Sequence, residues 1–548
     1  MTALEQRIAA LLGDGYFPVQ LPPPFVTKSF RGAVSALNAQ FLPSKIFQSE
    51  CETFSVARGG HRRRTTKLPN PVSQFLLARC IADNWNDIAK HLKKSKLSLT
   101  NTGLRVVAGQ RSIEIPSFGK LESERVTRSS GYRFALVSDV TQFFPSLYTH
   151  ALPWALHTKT ATKAALAARP RVVVGYGDDL DKHVRNCQSQ QTIGVPIGPD
   201  TSHILAEIVG VGIDLEVKKA LEKWPAGYRY VDDFVLFFTS RVEADEGLSV
   251  LNQAMAHFEL RPNENKTRVV PIDELEMDTW AHELRHFGFS HTKSRQSQEL
   301  HHFFQLAFSH ANKFPSESVM KFALRRVAVE LIRKENWSVF ESYLLRVANT
   351  HADTLQLVAQ FLHTYKGANY PIDLIAVRRT LEALLREHVP FQHHSEIAWT
   401  LWIAIQNNVK VSRQFVQPIA SVRSSVCALL LMHLHAAGLV AGHALSTTEL
   451  TARCSAVALN TENWLLAYQS ERDHLFPSMA SFVAGHSEFG VLLANGLTFY
   501  DRSATQSPLF TVKDEDDEFD SGEAVFDQEE NPNSRLNFSD VDEEYIDW

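Results

Sequence analysis

Three carboxylates carry the chemistry this sequence can do: Asp139, Asp232 and Asp233. The last two are adjacent inside RYVDDFVLFF, residues 229–238, a run otherwise almost wholly apolar. β-Forming residues on both sides predict a hairpin whose turn holds both acids close together at a sheet edge. Asp139 stands just past a strand predicted over Phe134–Val137, in FALVSDVTQFFPSLYTH. Hard divalent cations favour carboxylate oxygens, one or two acids per ion. Three acids so placed fit two-metal phosphoryl transfer, in which one ion activates a 3′-hydroxyl and the other stabilises the leaving pyrophosphate, the ions lying about 3.5–4 Å apart. Catalysis of that kind is positioning plus charge neutralisation. The plainer readings are a turn aspartate for the pair and a helix cap for Asp139.

A second Tyr-x-Asp-Asp occurs at Tyr176, Gly177, Asp178 and Asp179. It is followed by Leu180, Val184 and Cys187, which share one helical face. Asp178 or Asp179 is therefore expected as a cap or first-turn acid, stabilised by free amides and the helix dipole.

The elements that must position these acids differ along the chain. Up to about residue 295, short β-like runs (RFALVSDV, RYVDDFVLFF, TRVVPI) alternate with helical stretches and are punctuated by Pro and Gly. From 296 to 512 apolar residues recur at three- and four-residue spacing, as in VMKFALRRVAVELIRKENW and EIAWTLWIAIQ. That pattern predicts an all-α, HEAT-like array of paired helices. Residues 513–548 hold 15 acids and two bases, an acidic tail expected to be disordered. The remainder carries 54 bases against 46 acids, so a mildly basic body precedes the tail, as suits a polyanion-binding protein.

At 548 residues with 44% apolar and 21% charged residues, two or more globular domains are expected. Five scattered cysteines without Cys-x-x-Cys spacing predict a reduced, cytoplasmic protein without a disulfide framework or structural zinc. MTALEQRIAALLGDG has no basic region followed by an apolar stretch, so no secretory signal is expected. VCALLLMHLHAAGLVAG is too short to span a bilayer and is expected as a buried helix.

The order of motifs resembles the palm and fingers of a reverse transcriptase. SDVTQFFPS resembles motif A, QTIGVPIGPDTSHILAEI motif B, YVDDF motif C, LRPNENKTRVV motif D and HFGF, His286 to Phe289, motif E. RRRTTKLPNPVSQFLLARCI resembles the fingers segment. The pair at 178–179 precedes motif B, whereas in this family the metal-binding pair follows it, which selects Asp232 and Asp233. The wording is most similar to the bacterial abortive-infection (Abi-type) and defence-associated reverse transcriptases. The resemblance implies an α+β palm and fingers over residues 1–295 before the helical domain. It further implies Mg²⁺, as two ions with Mn²⁺ as substitute, dNTP substrates, an RNA template such as a dedicated noncoding RNA, a DNA product, homo-oligomers and a role in anti-phage defence. No membrane association is expected.

Residue by residue, the resemblance makes Phe144 a steric gate under the sugar, which implies deoxynucleotides. It sets Lys266 to protonate or neutralise pyrophosphate, and Arg64 and Lys67 to meet triphosphate or template. Gly194 and Gly198 bracket Pro196 in a tight turn where small residues let the backbone approach the nucleotide. Many family members have Gln before the second glycine. Here Ile197 stands there, and Gln191 is the candidate replacement. His61, Arg62, Arg63 and Arg64 form a basic cluster suited to a nucleic-acid backbone. The pairs His301–His302 and His393–His394 lack a third ligand in the sequence and are read as helix-surface residues.

Two further readings compete. One is template-independent synthesis primed by a protein hydroxyl, for which Tyr545 in the tail is a candidate. The other, of a different class, is a nucleic-acid-binding scaffold or toxin whose helical domain carries the effect.

Overall fold

Val, Phe and Leu fill both faces of residues 234–238, so this strand belongs inside a sheet rather than at its edge. In the computed structural model it is an inner strand of a four-stranded antiparallel sheet. The strands are β1 (Glu52–Ala57), β2 (Arg63–Leu68), β3 (Phe134–Asp139), β4 (Ala226–Tyr230), β5 (Asp233–Phe238) and β6 (Arg268–Pro271). β1 and β2 form a separate antiparallel hairpin, and the larger sheet has the order β4-β5-β3-β6. The structure describes residues 1–510 except 43–44, 61, 101–102, 169–171, 276–278, 290–292 and 478. The acidic tail with Tyr545, and His61 of the basic cluster, lie outside the described residues.

Helices α1 (Asp200–Ala220) and α2 (Arg241–His257) pack on each other, and α2 lies on β3 and β5. On the other face, Tyr228 and Tyr132 meet the ring of Phe237 at 6.4 and 6.3 Å. β3 runs two residues beyond the predicted strand, so Asp139 is its last residue rather than a cap beyond it. The continuing ladder with β5 is the cause.

Among the described residues beyond 293 the regular elements are helices, joined by turns and loops, and a parallel pair of two-residue strands, 411–412 with 440–441. Trp337–Thr350 packs on α3 (Leu374–His388), Leu355–Gly367 packs on α4 (His394–Asn407), and α4 also packs on α5 (Ser425–Ala436). Of the apolar segment 426–442, residues 426–436 lie in α5 and are largely buried, whereas the remainder leaves the helix through an exposed turn into the two-residue strand 440–441. Among the described residues no helix is long and apolar enough to cross a membrane.

The helical part grips the β1–β2 hairpin directly. α4 packs on β1, and the Ala57 N–H donates to Ser395 Oγ at 3.0 Å. Glu52 Oε1 accepts the Ser425 N–H at 2.6 Å at the start of α5, and burial pushes its carboxyl up to about 7. On the opposite side the Lys67 N–H donates to Ile197 O at 2.8 Å. The hairpin thus ties the helices to the loop that leads into α1.

The second Tyr-x-Asp-Asp folds as its sequence predicts. Asp178 and Asp179 lie in the first turn of the helix Tyr176–Asn186. Asp178 Oδ2 accepts the Val174 N–H at 3.0 Å, and Leu180, Val184 and Cys187 are fully buried.

Candidate active site

β4 and β5 are joined by a two-residue turn, because Tyr230 pairs with Asp233 and leaves Val231 and Asp232 between them. The turn therefore sits one residue earlier than the acidic pair itself. Val231 adopts φ 53°, a left-handed conformation that is unfavourable for a β-branched residue. Such strain costs of order 1–3 kcal/mol and persists only where surroundings over-determine it.

Arg229 supplies that determination. Its fully buried guanidinium donates from Nη1 to Val231 O at 2.9 Å. It also grips Glu207 (2.7 and 3.0 Å) and Asp214 (2.9 to 3.1 Å) on α1. Ser98 and Thr100 donate to Glu207 at 2.6 and 2.9 Å, and Ser95 to Asp214 at 2.7 Å. Burial alone would lower the Arg229 pKa, but the Asp214 and Glu207 carboxylates hold it above its ordinary value. α1 passes close enough for this only because residue 210 is glycine, where a Cβ would stand 2.6 Å from Arg229 Nη1.

The strand register brings the three acids to one end of the sheet. Asp139 pairs directly with Asp233, and the Val140 N–H donates to Asp232 O at 3.3 Å. Asp139 is buried, and Asp232 and Asp233 are half-buried. From the loop before β6, Asn263 donates its backbone N–H to Asp139 O at 2.7 Å and its Nδ2 to Asp139 Oδ2 at 3.0 Å. Lys266 Nζ lies 3.1 Å from that same Oδ2.

The charges do not balance. Desolvation, then repulsion from Asp233 and Asp139, pushes the Asp232 carboxyl well above its ordinary value. Desolvation and Asp139 push Asp233 up to about 6. Burial would lower Lys266, but Asp233 and Asp139 hold it above the usual lysine range. Three carboxylates facing one ammonium make a site of hard oxygen donors short of positive charge, and Asp139, Asp232 and Asp233 fit one or two divalent cations.

Phe144 sits in the one-turn helix Phe143–Ser146. Its ring is buried edge-on to His203 at 5.3 Å, and its carbonyl accepts the Val195 N–H at 2.9 Å. The Gly194 N–H donates to Leu147 O at 2.8 Å, so the segment after Asp139 and the loop before α1 run side by side. Gly198, at φ 131°, fits against Pro18, whose Cγ a Cβ would approach to 2.6 Å. Gln191 is exposed at the start of this loop.

The other site expectations are not all brought together. Arg64 faces the side of β2 that carries buried Thr66 and Leu68, whereas Lys67 points to the opposite face. Arg64 is near enough to His203 to disfavour its protonation, adding to the burial that lowers that histidine to about 4. Arg62 and Arg63 are engaged within the chain, Arg62 with Ser316 O and Arg63 in a bidentate pair with Glu396 at 2.5 and 2.8 Å. HFGF docks on the helix Lys293–Lys313, where Phe287 and Phe289 each lie 5.2 Å from Phe303.

The histidine reading is corrected in two places. His394 is buried, and its Nδ1 accepts the Ser55 N–H at 3.3 Å. His393 meets His388 and Glu396, with one ligand atom from each lying within 4.8 Å of the others. The sequence pairs His393 with its neighbour, but the third partner comes from the end of the preceding helix. His302 is exposed, as expected, and His301 Nδ1 is 2.8 Å from the Tyr343 hydroxyl.

Sequence reasoning missed Arg229, Glu207, Asp214 and Asn263. An arginine inside the apolar strand ahead of the acids was the available signal for the first three, because a buried charge needs partners. A cavity of about 400 Å³ lined by Leu385, Val389 and Phe415 contains none of these residues. No protein-family model and no curated protein matches this chain.

Proposed function

We propose that this chain is an RNA-directed DNA polymerase of reverse-transcriptase type acting in bacterial defence against phage, with residues 1–295 as palm and fingers. The observation that carries the reading is the register of Asp139 against Asp233 with Asp232 on the adjoining turn and Lys266 at 3.1 Å from Asp139. The ordered motifs around these residues support it.

Asp139, Asp232 and Asp233 would hold the divalent ions, Mg²⁺ or Mn²⁺. When bound, such ions neutralise charge at the attacking 3′-hydroxyl and the leaving pyrophosphate. Asn263 and Lys266 orient Asp139 through its Oδ2. The Lys266 ammonium, kept charged by the acids, is the group that can neutralise pyrophosphate or pass it a proton. Phe144 forms a bulky floor that excludes a 2′-hydroxyl. Arg64, on the hairpin face near His203, and exposed Gln191 are the side chains proposed to meet the incoming nucleotide, with Lys67 left to the template.

The test incubates full-length protein with Mg²⁺ and four labelled dNTPs, without and then with a primed RNA template, and analyses the product before and after protease. Incorporation that requires the template and is lost in Asp232→Ala/Asp233→Ala supports the reading. Label that remains with the protein until digestion, without added template, favours protein-primed synthesis instead. No incorporation in either format, with phage defence intact in the double variant, leaves the scaffold reading.

A further inference from the structure

At the junction of α3 and α4, far along the chain from the sheet-end acids, two imidazoles and a carboxylate converge. His388 ends α3, His393 immediately precedes α4, and Glu396 lies in the first turn of α4. The two Nδ1 atoms are 3.0 Å apart, and His393 Nδ1 is 3.6 Å from Glu396 Oε1. A tetrahedral ion with bonds of about 2.0–2.1 Å sets its ligand atoms about 3.3 Å apart. The two observed separations lie on either side of that value.

We propose that His388, His393 and Glu396 form a binding site for one divalent transition metal of the zinc class, ligated by the two Nδ1 atoms and Glu396 Oε1, with the fourth position open to water. Two imidazoles and one carboxylate are a donor set that zinc accepts and magnesium does not favour. This inference is independent of the polymerase reading.

The protonation states suit the ligands. Burial would raise Glu396, but Arg63 beside it holds the carboxyl below its ordinary value, so it is anionic at neutral pH. Burial and Arg63 lower His393, against smaller opposing effects of Glu396 and Glu387, so it is neutral there. Without metal, one Nδ1 must donate to the other. Binding requires that imidazole to give up its Nδ1 proton so that the nitrogen lone pair can face the metal.

Glu396 is shared between this site and the β1–β2 hairpin. Its Oε2 accepts from Ser395 Oγ at 2.7 Å and from Arg63 Nη2 at 2.8 Å, and its Oε1 accepts from Arg63 Nη1 at 2.5 Å. A cation on Oε1 displaces Nη1, while the bonds at Oε2 remain to orient the ligand, as hydrogen-bonded carboxylates do around metals. Metal binding and the grip on β2 therefore compete.

The experiment uses the full chain, stripped with chelator and held in excess Mg²⁺ to mask the sheet-end acids, and titrates it calorimetrically with Zn²⁺. One zinc per chain is expected. His393→Gln and His388→Gln should each weaken binding by at least about 10-fold, comparable to the loss of a metal's supporting partners. Arg63→Met should tighten binding, and His302→Gln should leave it unchanged. His393 is half-buried, so His393→Gln is expected to fold even where the His388 variant does not. The absence of stoichiometric zinc in the wild type, or undiminished affinity in His393→Gln, overturns the proposal.

Discussion

Asp139, the last residue of β3, is paired in register with Asp233, the first residue of β5. Directly opposed like charges destabilise a strand pair. Here Asp232 on the adjoining turn adds a third, and Lys266 answers one of them. An arrangement unfavourable to the bare fold is one that a bound cation would relieve. Asp233→Asn should therefore make the metal-free protein more resistant to urea at pH 8 while reducing nucleotide incorporation by at least about 10²–10³-fold, the scale of losing one electrostatic stabiliser. A loss of both stability and activity would mean that the carboxylate has a structural partner instead.

The same residue gives a pH dependence. Desolvation and Asp139 raise the Asp233 carboxyl from 3.8 to about 6, so the folded chain holds that proton more tightly than the unfolded chain. Its contribution favours the fold fully below 3.8 and is lost as pH rises through about 6. Mg²⁺ should accordingly raise the melting temperature much more at pH 8 than at pH 5. Calorimetry at the two pH values checks this, and an equal Mg²⁺ effect at both would contradict it.

The sheet-end site was legible because its parts follow local rules. A run of β-formers interrupted by two acids reads as a hairpin, and its exact turn shifted by one residue because Tyr230 pairs with Asp233. The acids at 178–179 were equally legible as first-turn residues. Arg64 and Lys67 were expected together, but a strand's two-residue period puts them on opposite faces. Most of what remained hidden consists of contacts between separate elements, Arg63 with Glu396 and Arg229 with α1, and of a short-range one that only the bend between two helices creates, His388 with His393. No periodicity records which buried charge will find which partner.

Phe144 offers a test of sugar selection. Its ring packs on His203 and Phe143, with centroids at 5.3 and 5.8 Å. Replacing it by a smaller apolar residue opens the space beside the sugar position. Phe144→Val should lower the preference for dNTP over rNTP by at least about 10-fold, the discrimination that a small change of pocket volume confers. Competition between labelled dGTP and GTP measures it. An unchanged ratio would make Phe144 a core residue.

Arg229 separates positioning from stability. Its guanidinium is fully buried, bound to both Glu207 and Asp214, and also holds the Val231 carbonyl beneath the turn that carries Asp232. Removing one partner of a buried ionic network costs about 3–5 kcal/mol because the others keep uncompensated charge. Arg229→Met should therefore lower stability on that scale. Adding Glu207→Gln and Asp214→Asn should recover much of it, since the orphaned charges are gone. Recovery of stability should not restore activity, because Val231 still lacks the donor that holds its left-handed conformation and Asp232 is no longer fixed. The triple variant should thus fold and bind dNTP with a near-normal KM but show a reduced kcat. If its kcat returns with its stability, Arg229 acts on the fold alone and the turn is held by other contacts.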